Sequence, residues 1–253
     1  MPVWVQAALW GLVGGSALLV GAAIPFFANL PQRLIASVMA VGSGVLISAV
    51  AFELMDEAFA RGGFDSTAAG FLLGAAIYTA ANIYLSRRGA KHRKRSGFRR
   101  HEKQPDVSDG AGLAIAVGAL LDGIPESVVI GVSLLGDSGV SIVTVAAVFL
   151  SNVPEGLASA AGMRRARRSP RYIFGVWGAI AVASGLAALI GNIALAGSSE
   201  ELIAATTALA AGAILAMVAD TMIPEAFDET HEYAGLITVV GFLVAFILSK
   251  LGT

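Results

Sequence analysis

Residues 1–32 carry no charged side chain, and the run 3–27 is apolar almost throughout. About 20 mostly apolar residues suffice to cross a bilayer as a helix, so this run predicts a membrane span. The pattern then repeats along the chain. Spans at 34–58, 67–85, 110–135, 140–163, 172–196, 202–225 and 233–249 bring the total to eight. Short polar segments separate most of them: Asn29-Leu-Pro-Gln-Arg33, Arg61-Gly-Gly-Phe-Asp65, Gly136-Asp-Ser-Gly139, the basic run Arg164–Arg171, the turn Gly197–Glu200 and the acidic run Phe227–Glu232. One long polar loop, 87–109, follows the third span. The pattern predicts an all-α membrane protein, a single transmembrane domain over 1–253 with no soluble domain.

Composition agrees. The chain is 56% hydrophobic and 14% charged, against roughly 25% charged in soluble domains. It has no cysteine, which excludes disulfides, thiolate metal sites and thiol nucleophiles. The N-terminus lacks the basic start and short apolar core of a cleavable signal.

Charge adds a direction. With eight spans the connections alternate sides, and 15 of the 17 Lys and Arg residues fall on one side: Arg33, nine between Arg87 and Lys103, and five between Arg164 and Arg171. Arg61 and Lys250 are the two on the other. Basic loops face the cytoplasm, so both termini are expected outside, in a cell membrane of the bacterial inner-membrane kind. Runs such as Lys91-His-Arg-Lys-Arg95 suit anionic lipid headgroups, and no nucleic-acid partner is expected.

The chain also repeats itself. Gly44-Val-Leu-Ile-Ser-Ala-Val-Ala51 resembles Gly212-Ala-Ile-Leu-Ala-Met-Val-Ala219, and Glu57-Ala-Phe59 matches Glu225-Ala-Phe227. The predicted topology sends these spans in opposite directions. Ile124-Pro-Glu-Ser127 and Val153-Pro-Glu-Gly156 echo each other on the fourth and fifth spans. The expected arrangement is three helices, two, then three, with inverted repeats. Inverted repeats and broken central helices are characteristic of secondary transporters, whose sites lie near the midplane.

The candidate chemistry lies there. Asp122 and Glu126 are one turn apart and share a face of the fourth span. Ser151, Asn152 and Glu155 share a broad face of the fifth. A short turn joins the two spans, so their polar faces are expected to meet. A carboxylate at mid-bilayer costs at least about 2.5–3.5 kcal/mol on insertion scales; protons or a cation must neutralise such a group. Pro125 and Pro154 each remove a backbone hydrogen bond, and a cation or cavity water can satisfy the freed carbonyls. A divalent ion held by several oxygens answers both needs. Asp220 and Glu225 on the seventh span are further candidate metal ligands. Glu53, Asp56 and Glu57 read as solvated charges at a helix end, with a cation-collecting mouth as the alternative.

These features resemble the ZIP family of divalent metal transporters. The family's His-Asn-x-Pro-Glu-Gly pattern meets Asp122-Gly-Ile-Pro-Glu-Ser127, and a similar pattern meets Ser151-Asn-Val-Pro-Glu-Gly156. On the seventh span, His-Glu-x-x-Pro-Glu-Ala meets Asp220-Thr-Met-Ile-Pro-Glu-Ala226, and on the sixth a Ser-Gly-x-x-Glu pattern meets Ser184-Gly-Leu-Ala-Ala188. The motif histidines are replaced by Asp122, Ser151 and Asp220, the sixth-span glutamate by Ala188, and the fourth-span asparagine by Gly123. The resemblance implies transport of a divalent cation (Zn, Mn, Fe or similar) toward the cytoplasm. It also implies a single metal held by Asp122, Glu126, Asn152 and Glu155, together with Asp220; Ser151 and Glu225 complete the candidate set. An all-oxygen set leans toward harder ions than zinc. The ion is cargo, so no cofactor is expected; the partners are the metal ion, membrane lipid and a second copy in a homodimer. The alternative is a proton or other-cation transporter on a ZIP-like scaffold. An enzyme is not expected, since no histidine lies within a span and no hydrolase dyad is present.

Overall fold

A computed structural model of the chain describes residues 1–87, 111–135 and 139–251, with side chains described from residue 116 onward in the fourth helix. The basic loop read at 87–109, apart from Arg87 at the end of the third helix, and the tip of the turn at 136–138 lie outside the described residues. The architecture is all-helical, with no strand among the described residues. The helices are α1 Val3–Phe27, α2 Gln32–Ala49, α3 Met55–Arg87, α4 Ala111–Ser133, α5 Ile142–Arg165, α6 Pro170–Leu195, α7 Glu200–Met217, α8 Ile223–Thr230 and α9 Ala234–Leu251. Five-residue π-helical turns, Val50–Leu54 and Val218–Met222, join α2 to α3 and α7 to α8.

Six continuous helical stretches are long and apolar enough to cross a membrane, which suits a multi-pass membrane protein. Two of them are unusually long: Gln32–Arg87 with 56 residues and Glu200–Leu251 with 52. At about 1.5 Å per residue, each exceeds twice a hydrocarbon core of about 30 Å if straight. Neither runs straight. Gly63 has φ 70° and ψ −168°, and His231 has φ 46° and ψ −121°. The connections expected at Arg61–Asp65 and Phe227–Glu232 are thus breaks within helical runs, not extended loops. One residue of left-handed backbone redirects the chain while its neighbours keep helical hydrogen bonds.

Helix starts are governed by local chemistry. Ser141, Ser169 and Ser199 each accept a hydrogen bond from the backbone N–H three residues on, capping α5, α6 and α7. Such caps satisfy amides that the helix itself leaves unpaired. Pro170 follows Ser169 at the first position of α6, where a proline costs nothing. The sixth span therefore begins two residues earlier than its apolar run suggests.

The helix boundaries recur 168 residues apart. Gln32–Ala49 corresponds to Glu200–Met217, and Val50–Leu54 to Val218–Met222. Gly63 corresponds to His231, and α1 ends at Phe27 where α6 ends at Leu195. The corresponding first helices pack antiparallel: Gly11 approaches Ala188 and Ser184, while Gly15 approaches Ala181. Neighbours correspond as well. α3 packs along α7, and its counterpart α9 packs along α2. Glycines permit both contacts. A Cβ on Gly44 would lie 1.9 Å from the Thr238 carbonyl oxygen, and one on Gly212 would lie 2.0 Å from that of Phe71.

The central core gathers Met39, Leu46, Tyr78, Leu157, Ile214 and Met217 from four helices. Large apolar side chains such as Leu72, Ile190, Leu236 and Val240 point outward, the reverse of a soluble protein and natural against lipid.

Candidate functional site

Burial sorts the candidate residues into two groups. Asp122 and Glu126 are each 1% exposed, Ser151 is 0%, Asn152 3%, Glu155 5% and Glu225 8%. Asp220 is exposed on the outer side of its π turn. The structure therefore buries every candidate except Asp220. Continued at 3.6 residues per turn, the buried face Thr207, Ala211, Ile214 and Val218 leads on to Met222 and Glu225 and leaves Asp220 outside it.

α4 presents Asp122 and Glu126 one turn apart, with Pro125 between them. The phenol of Tyr78, itself 1% exposed on α3, donates a hydrogen bond to Asp122 Oδ1 at 2.7 Å. Ser127 donates to the Gly123 carbonyl at 2.7 Å. Gly123 faces α6, where a Cβ would lie 3.8 Å from Ser184 Oγ. On α5, Ser151 Oγ donates to the Val148 carbonyl at 2.9 Å, and Asn152 Nδ2 donates to the Gly14 carbonyl of α1 at 3.1 Å. The amide oxygen of Asn152 is the atom suited to a cation. A similar bond recurs on the other half, where Asn192 of α6 donates to the Gly131 carbonyl of α4 at 3.0 Å.

The two polar faces do not simply meet. α4 packs chiefly against α6, and α5 against α1 and α2; α4 and α5 touch only slightly. A short connection brings helices near each other, but close glycine contacts select the partners here. Gly131 is seated on the Ala188 backbone of α6, and Gly156 on the Leu18 backbone of α1. Among the described residues, no three Asp, Glu or His side chains come together as a metal-binding group. Asp122 is joined to Tyr78, and Asn152 to α1, in place of a closed cluster of carboxylates.

Near one end of the bundle, Arg165 donates to Gln32 Oε1 and lies within electrostatic reach of Glu229 and Glu225. A cavity of about 380 Å3 opens beside it, lined in part by Gln32, Ile35, Leu157 and Ala161.

Sequence reasoning missed Tyr78. Its signal was present as the stripe Thr67, Gly70, Gly74, Tyr78, the buried face of α3. Three small residues followed by one large hydroxyl-bearing ring mark a helix that packs closely and ends on a polar contact. No protein-family model matches the chain, and no curated protein is significantly similar to it.

Proposed function

We propose that the chain is a ZIP-like transporter that moves a divalent metal cation toward the cytoplasm. In this reading it crosses the membrane eight times, as three helices, two and three. Gly63 and His231 divide the two long helical stretches, and both termini lie outside. The helix correspondence at 168 residues supports an inverted repeat, and inverted repeats place substrate sites at their interface.

The observation that carries the reading is the burial of three carboxylates, Asp122, Glu126 and Glu155, on helices with no Lys or Arg between residues 104 and 163. Ionisable groups within membrane helices are functional by default. Asp122, Glu126 and Glu155 would supply anionic oxygens and Asn152 a neutral one. Binding there requires α4 and α5 to approach more closely than they do here, as alternating access allows. Metal binding to carboxylates displaces protons, so uptake should fall as the pH is lowered. The all-oxygen donor set favours manganese or iron(II) over the softer ions.

The absence of a three-carboxylate group among the described residues favours a second reading, in which the scaffold moves protons or a monovalent ion. Uptake into proteoliposomes across manganese, iron(II), zinc, cadmium, magnesium and calcium separates the two. The expected result is uptake of a subset of these ions, lost in an Asp122→Ala/Glu126→Ala double variant. Folded native protein that takes up none of them would overturn the divalent reading and leave the second.

A further inference from the structure

A second, small cavity, lined mostly by apolar side chains and by neither Asp122 nor Glu126, lies between α2, α9 and α5. Glu53 occupies the π turn after α2, and Ser249 of α9 donates a hydrogen bond to its Oε1. Ser48, one turn earlier, is 1% exposed, and its Oγ has no hydrogen-bond partner among the described residues. All three side chains line one cavity of about 10 Å3, roughly the room one water-sized occupant needs. α5 closes it with Val143, Ala147 and Leu150, which bring no competing charge. Lys250 Nζ lies 5.8 Å from the Phe52 ring centroid and from that of Phe246.

We infer that Ser48, Glu53 and Ser249 form a binding site for one small monovalent cation, of Na+ or K+ size. One carboxylate balances one positive charge, and two hydroxyl oxygens extend the coordination. A divalent ion would keep an excess charge here and would lack the six to eight oxygens that calcium takes. The π turn is part of the site. Such turns widen the helix by one residue and are frequent at functional positions; this one brings Glu53 into the same cavity as Ser48. The counterpart turn, Val218–Met222, has Thr221 at the position of Glu53, so the site belongs to one half of the molecule only.

The site is tested without transport, independently of the divalent reading. The detergent-purified full chain is melted in chloride salts of lithium, sodium, potassium and choline at one ionic strength. The expected result is a saturable rise in Tm with sodium or potassium relative to choline. Glu53→Gln and Ser249→Ala should abolish the rise. Ser48→Ala, which keeps the carboxylate, should shift it several-fold toward higher cation concentration. The Asp122→Ala/Glu126→Ala variant should retain it, which separates this site from the midplane acids. Equal Tm values in all four salts, or a native-like rise in Glu53→Gln, would overturn the proposal.

Discussion

Tyr78 donates its phenolic hydrogen to Asp122 Oδ1 at 2.7 Å, and both side chains are almost fully buried. The bond ties α3 to the carboxylate that the proposed function places at the centre of the site. A buried hydrogen bond to a charged group contributes about 1.5–3 kcal/mol. Tyr78→Phe keeps the ring and removes only the donor. It should lower stability by about that amount and reduce cation uptake, with the larger effect on apparent affinity. Thermal melts and uptake titrations of the variant beside the native protein check this. An unchanged affinity would mean that the tyrosine supports the fold alone.

Asp122 and Asp220 stand at corresponding places in the motifs of their spans but in different environments. One is buried against α3, and the other is exposed on the outer side of a π turn. Asp122→Asn should therefore reduce divalent uptake by an order of magnitude or more, whereas Asp220→Asn should leave it within about two-fold; on the usual conversion, tenfold corresponds to about 1.4 kcal/mol. Equal losses in both variants would place Asp220 in the transport path, despite its exposure.

Backbone contact at glycine sets the helix packing. A Cβ on Gly44 or Gly212 would lie about 2 Å from a carbonyl oxygen of the neighbouring helix, whereas one on Gly178 meets nothing within 4 Å. Overpacking of this kind costs about 1–3 kcal/mol where side chains can yield, and backbone yields less readily. Gly44→Val and Gly212→Val should each lower the yield of monodisperse protein sharply, while Gly178→Val should behave as native. Size-exclusion profiles of the three variants make the comparison.

Much of the helical layout was legible in the apolar runs, because a membrane demands long uninterrupted ones. The 168-residue offset could be read from a few aliphatic matches and Glu57-Ala-Phe59 against Glu225-Ala-Phe227. Other features were not legible. The π turns have different sequences, Val-Ala-Phe-Glu-Leu and Val-Ala-Asp-Thr-Met, and beyond the shared Val-Ala no residue pattern announces them. The neighbours of α4 and α5 also escaped the sequence. Chain connectivity suggested that the two helices pair, whereas glycine contacts at Gly131 and Gly156 pair them with α6 and α1. The burial of Asp122, Glu126 and Glu155 followed from their mid-span positions, but the Tyr78 partner depends on tertiary contact and could not be read from spacing.

The two chain breaks make the last prediction. Gly63 and His231 occupy corresponding positions and both have positive φ. Glycine adopts such a conformation without steric cost, whereas a histidine held there stores about 1–3 kcal/mol of strain. His231 is exposed, and its ring contacts Phe227 edge-on with centroids 6.2 Å apart. His231→Gly relieves the backbone and loses that one contact, worth about 0.5–1.5 kcal/mol at most. The net expectation is an unchanged or slightly higher Tm. Gly63→Ala does the opposite: space is open around a Cβ there, so any loss comes from the backbone alone, and the Tm should fall. If instead His231→Gly proved clearly destabilising, the histidine side chain would be holding the α8–α9 corner through contacts stronger than the strain it stores. The equivalence of the two breaks would then be geometric, not energetic.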